Sequence, residues 1–140
     1  MSAVDHCQAQ IKRALEKEGW VIDPRPYTLE TEDSVVYIDL EAKRQTNGHT
    51  ESILLAEVKC FSNPKKSMPD LYGALGQYLL YRKLLHRQGI YTPLYLAIPE
   101  EAHRRLFKEA VMELMTEHRM NLVVVALETE RIILWIKSSL

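Results

Sequence analysis

The run Ile53, Leu54, Leu55 and Ala56 does most to constrain how this chain folds. It is apolar on both faces of an extended backbone, so it needs cover above and below. Such a strand belongs in the middle of a sheet flanked by helices. Glu57, Val58 and Lys59 follow at once. Glu57 and Lys59 are two apart and share one face of that strand. On the preceding strand, Asp39 interrupts the apolar run Val36, Tyr37, Ile38 and Leu40. Buried charges are costly unless they are paired or bound to metal, so these positions need an explanation.

The remaining elements fall around this strand. Residues 4–18 carry apolar groups at helical spacing, with Gly19 as a stop. Residues 20–29 look extended, but Pro24 and Pro26 confine them to an edge or irregular strand. Residues 34–43 and 51–60 read as two strands around a turn at 46–49 that contains Asn47 and Gly48. Ser67 and Pro69 open a helix that runs to about Arg87 and stops at Gly89. A short strand at 93–99, one helix at 100–118 and a hairpin of 121–127 with 131–137 complete the chain. The expected order is α-β-β-β-α-β-α-β-β, an α/β fold with a central mixed β-sheet flanked by helices.

The 140 residues fit one domain, 1–140, with one core. An apolar fraction of 46% and a charged fraction of 26% exclude a disordered or collagen-like chain. The start has neither the basic nor the apolar region of a signal peptide. Runs such as 123–127 and 132–136 are far too short to cross a bilayer, so no membrane partner is expected. Cys7 and Cys60 are far apart and lack zinc-ligand spacing, which suits a reducing, cytoplasmic setting. A net charge of −1 rules out DNA binding by bulk charge and asks for a local patch. Candidates are Lys65 and Lys66, then Arg82, Lys83, His86 and Arg87, then His103, Arg104, Arg105 and Lys108. Each group taken alone also fits a solvated helix face.

Asp39, Glu57 and Lys59 on neighbouring strands admit two readings. One is a buried salt bridge between Lys59 and a carboxylate. The other is an active site, because such sites concentrate perturbed ionisable groups. Hydrolysis of a phosphodiester needs an activated water and positive charge against the phosphate. Oxygens of Asp39 and Glu57 suit a hard cation, Mg²⁺ or Mn²⁺, with the carbonyl of Val58 as a third donor. Lys59 is placed to orient the water or stabilise charge at the phosphate.

These residues resemble the D…(D/E)xK motif of the restriction-endonuclease-like, or PD-(D/E)xK, superfamily, and the element order is similar to its core. Gln77 and Tyr81 form a Q-x-x-x-Y pair that resembles the helix motif of RecB-like nucleases. That resemblance also raises His6 as an additional metal ligand, against an ordinary surface or cap role. The chain as a whole is similar to the XisH family, named for control of fdxN element excision in cyanobacteria. The resembling segments are ALEKEGW at 14–20, IDLEA at 38–42, AEVKCF at 56–61, ALGQYLLYR at 74–82 and LYLAIP at 94–99. Glu41 stands where family members tend to carry glycine. The resemblance implies DNA as substrate or partner, with the small companion protein XisI as a further partner and a homodimer left open. Three functions follow: a metal-dependent endonuclease, a non-catalytic nucleic-acid-binding or regulatory factor, or an interaction module.

A shared metal sets a condition on the hairpin. A two-residue Asn47-Gly48 turn pairs Thr46 with His49, and in an unbroken ladder Asp39 then meets Ala56. Asp39 and Glu57 would face opposite sides. A common site therefore requires an odd-length loop, or one extra residue as a bulge between 39 and 57.

Overall fold

The computed structural model describes residues 3–138, and for residues 3–6, 46 and 50 it describes the backbone only. Helix α1 (Ala3–Lys17) is followed by the short strands β1 (Val21–Ile22) and β2 (Tyr27–Glu30). Then come β3 (Val35–Ile38), β4 (Leu40–Thr46) and β5 (His49–Val58). A 3-10 turn (Pro64–Lys66) leads into α2 (Ser67–Arg87) and β6 (Leu94–Pro99). Helices α3 (Glu100–Leu106) and α4 (Glu109–Glu117) and strands β7 (Asn121–Ala126) and β8 (Arg131–Ile136) close the chain.

The main sheet has the order β1-β4-β5-β6-β7-β8. It is mixed: β5, β6 and β7 run parallel, while β1, β4 and β8 pair antiparallel with their neighbours. The apolar run of β5 lies between β4 and β6, buried on both faces apart from the more exposed Ile53. Leu54, Ala56 and Val58 face α1 and pack with Ile11, Ala14 and Leu15. Leu55 faces the other way, into a core built with Leu71, Ala74, Tyr78 and Leu85 of α2. Glu57 alternates with Val58 and so belongs to the α2 face. Among the described residues, no helix is long and apolar enough to cross a membrane.

Three expected elements are broken, one by its own prolines and two by distant partners. The extended segment 20–29 splits at Asp23, Pro24, Arg25 and Pro26, leaving β1 on the sheet edge and β2 elsewhere. The expected strand 34–43 breaks at Asp39, because β3 pairs with β2 in a separate two-stranded sheet while β4 joins the main one. The expected helix 100–118 breaks at Phe107, which turns inward, buried, with its ring centroid 5.9 Å from that of Phe61. Lys108 is extended there and starts α4 afresh.

The hairpin meets its condition through the bulge and not through an odd loop. Asn47 (φ 55) and Gly48 (φ 79) make the two-residue turn, with Thr46 opposite His49. The register then shifts: Gln45 pairs with Thr50 and Arg44 with Ser52, so Glu51 is the extra residue. Leu40 consequently lies opposite Ala56, and the next step along brings Asp39 to Glu57 on one face.

Sequence distance hid one covalent link. Cys7 of α1 and Cys60, just past β5, form a disulfide with a Cα–Cα distance of 5.8 Å. It ties α1 to the strand end that carries Glu57 and Lys59, a feature that a reading of two distant cysteines in a reducing setting did not anticipate.

Candidate active site at the end of β5

The site forms where the β4–β5 ladder runs out. At Asp39 the chain leaves the β4–β5 ladder, because the preceding β3 pairs with β2. Two carboxylates bond across the gap that this leaves. The Asp39 amide donates to Glu57 Oε1 at 2.9 Å, and the Val58 amide donates to Asp39 Oδ2 at 2.8 Å. Each acidic side chain thus holds the backbone of the opposite strand, and the pair converges on one point.

Glu57 is only 4% exposed. Burial, followed by the negative charge of Asp39, pushes its carboxyl up to about 8; the Asp39 amide and the positive charge of Lys59 pull the other way. Glu57 therefore keeps its proton up to about pH 8, because the buried site does not support a second negative charge beside Asp39. Among the described residues, Lys59 forms no ion pair with either carboxylate, which disfavours a simple buried salt bridge.

Lys59 instead lines a cleft of 660 Å³ between the end of β5 and α2, together with Gln77 and Tyr81. Gln77 Nε2 donates to Tyr81 Oη at 2.8 Å, as expected for residues one helical turn apart on one face. The cleft starts at Val58, one residue from Glu57. Ser62 and Asp70 also line it, and sequence reasoning passed over both. For Asp70 a signal existed, since it lies seven residues before Gln77 on the same helix face. Gly73 and Gly76 lie along this wall, and a Cβ at either would meet open space.

The floor is held rigidly. Phe61 takes φ +53, a strained conformation for a bulky residue. Arg105 fixes it: Nη2 donates to the Phe61 carbonyl at 2.9 Å, Nη1 donates to Ser67 Oγ, and Nε donates to Glu101 Oε1 at 2.8 Å. Arg82 donates to the carbonyls of His118 and Arg119 at 2.7 and 2.8 Å, closing the end of α4. Arg104 pairs with Glu100 at 3.1 Å. Arg82 and Arg105, read from the sequence as candidates for a DNA-binding patch, thus also hold backbone carbonyls, whereas Arg104 keeps an exposed surface pair. Lys65, Lys66, Lys83, Arg87 and Lys108 remain exposed.

Among the described residues, no group of three or more His, Cys, Asp and Glu is placed to hold a metal ion. The side chain of His6 lies outside the described residues. Asp39 and Glu57 nevertheless match, in donor type and in charge, a hard cation that keeps most of its water and takes one or two carboxylates.

A crystal structure of an fdxN element excision controlling factor protein from Anabaena variabilis is similar at 28% identity and a TM-score of 0.83, covering 95% of this chain and 99% of that one. A crystal structure of an XisH family protein from Nostoc punctiforme PCC 73102 is similar to the same degree, 28% identical with a TM-score of 0.83, covering 95% of this chain and 100% of that one. No curated protein matches at a significant level. The model of the family described as XisH protein matches residues 1–133, and the chain belongs to the XisH family.

Proposed function

We propose that this chain is a metal-dependent, endonuclease-like protein with a restriction-endonuclease-like core, acting on DNA in the excision of a genomic element or as a subunit that controls it. The observation that carries this reading is the convergence of Asp39 and Glu57 beside a cleft that Lys59 lines. Asp39 and Glu57 would hold Mg²⁺ or Mn²⁺, with the Val58 carbonyl as a third oxygen and His6 as a further ligand. Bound there, the ion supplies a water of lowered pKa and positive charge against a phosphate. Lys59 orients the attacking water and steadies charge at the scissile phosphate. Gln77 and Tyr81 contact the strand from α2. The proposed setting is cytoplasmic, with XisI as a protein partner and a homodimer as the alternative assembly. The name of the Anabaena variabilis relative, an excision controlling factor, supports the biological context.

One observation favours a second reading. Both carboxylates already hold backbone amides, so the charged cluster also has a structural use, as in a non-catalytic DNA-binding factor that retains the fold. Nicking of supercoiled plasmid in Mg²⁺ or Mn²⁺ separates the two. Cutting by wild type and none by Lys59→Met supports the nuclease. No cutting by wild type, with DNA retained in a gel shift, supports the binding factor.

A further inference from the structure

A second cavity lies toward the other end of β5, on the opposite face of the sheet. It has a volume of 270 Å³, and its walls include Trp20, Tyr95, Trp135, Arg44 and Lys137. Four strands and the residue after Gly19 build it, so it is a product of tertiary structure. Ser52 lines it, and Ser52 and Glu57 are five residues apart, about 16 Å along the strand.

Its chemistry is specific. Trp20 and Tyr95 are buried, at 6% and 5% exposure, whereas Trp135 is half-buried. Trp135 and Tyr95 form a T-shaped pair with centroids 5.2 Å apart, and Trp135 lies 6.3 Å from Trp20. The Arg44 guanidinium carbon sits 4.6 Å from the Trp20 ring centroid. Among the described residues its one side-chain hydrogen bond is a long one, Nη1 donating to the Glu18 carbonyl at 3.4 Å. A guanidinium has five N–H donors, so most of its capacity is left. Arg44 and Lys137 are exposed and, among the described residues, form no ion pair. The nearby negative group is Glu18, whose Oε1 accepts from Trp135 Nε1 at 3.3 Å. The buried Trp20 indole N–H has no hydrogen-bond partner among the described residues, an unusual omission in a finished core.

These features select a ligand class. Two cations at the rim oppose a cationic guest, which an aromatic cavity would otherwise favour. An aliphatic guest leaves both cations unused. A planar ring carrying a phosphate uses the half-buried Trp135 ring that lines the cavity for stacking and the fork of Arg44 for bidentate contact. The volume lies just under the roughly 300–1,000 Å³ of drug-sized ligand pockets, which suits a single unit. We propose that this cavity is a nucleotide-unit site, with the base against Trp135 and the phosphate on Arg44 and Lys137. The unit is either a free nucleotide or an unpaired nucleotide of a strand. The proposal is independent of the cleavage site.

Tryptophan fluorescence and calorimetry, in chelator, test it with adenosine monophosphate, adenosine, inorganic phosphate, benzoate and an eight-nucleotide single strand. Saturable quenching by the monophosphate, with Kd below about 1 mM, identifies a free-nucleotide site. Binding of the strand alone identifies an unpaired nucleotide. In either case Arg44→Gln and Trp135→Leu weaken binding about tenfold, whereas Glu109→Gln, an exposed change on α4, leaves it unchanged. Lys137→Gln, an exposed change that spares the core, gives a weaker loss in the same direction. Three results overturn the proposal: no binding of either nucleotide probe, unchanged affinity in the folded Arg44→Gln protein, or benzoate binding as well as the monophosphate.

Discussion

Replacing Glu57 with Gln should change how stability depends on pH. In the metal-free protein the Glu57 carboxyl is held up to about 8, through burial and the charge of Asp39, against 4.5 for the unconstrained group. The folded state therefore binds the proton more tightly than the unfolded chain. Below pH 4.5 both states carry it, and this group's contribution is fully present. Between 4.5 and about 8 only the folded state is protonated, so stability falls as pH rises, by about 1.4 kcal/mol per unit. Above about 8 the contribution is gone. The whole interval amounts to roughly 5 kcal/mol, a large share of the stability of a domain this size. Gln keeps the oxygen that accepts the Asp39 amide but does not titrate. Urea unfolding followed by circular dichroism, in chelator at pH 5 to 9, should show wild type losing stability relative to Glu57→Gln as pH rises. Addition of Mg²⁺ or Mn²⁺ at pH 8 should restore wild type and leave the variant unchanged. Parallel pH curves for the two proteins would refute the argument that burial and Asp39 together hold a proton on Glu57.

Other outcomes follow from single contacts. Lys59→Met should change stability by less than about 0.5 kcal/mol, since Lys59 forms no ion pair among the described residues; a clear drop in Tm would make it a structural partner of the carboxylates. Tyr78→Phe removes a hydroxyl that donates to the Leu94 carbonyl at 2.7 Å and accepts from the Asn121 amide at 3.0 Å. Chemical denaturation should show a loss of roughly 1–3 kcal/mol, and an unchanged midpoint would contradict the burial of that amide. Cys7→Ser removes the link across a sequence separation of 53. A loss of about 2–4 kcal/mol is expected, matched by wild type in a dithiol reductant.

The chain itself determined the central strand, the helix from Ser67, and the identity of Asp39, Glu57 and Lys59 as charges in an apolar setting. Those readings rest on period and residue type, which are local properties. The need for a bulge was also legible, because side-chain parity is arithmetic once two residues must share a face. The remaining features depend on partners far away in sequence. Nothing local marks Asp39 as a break; it becomes one because β2 captures β3 while β5 captures β4. Phe107 sits within a helical pattern, and only the buried ring of Phe61 draws it inward and divides the helix. Arg82 and Arg105 look like any exposed base until the carbonyls of His118, Arg119 and Phe61 are set beside them. The cavity of Trp20, Tyr95 and Trp135 draws on four strands and the residue after Gly19. Residue chemistry is written along the chain, but which groups meet is decided by packing, where the burial of apolar surface outweighs what any short segment prefers.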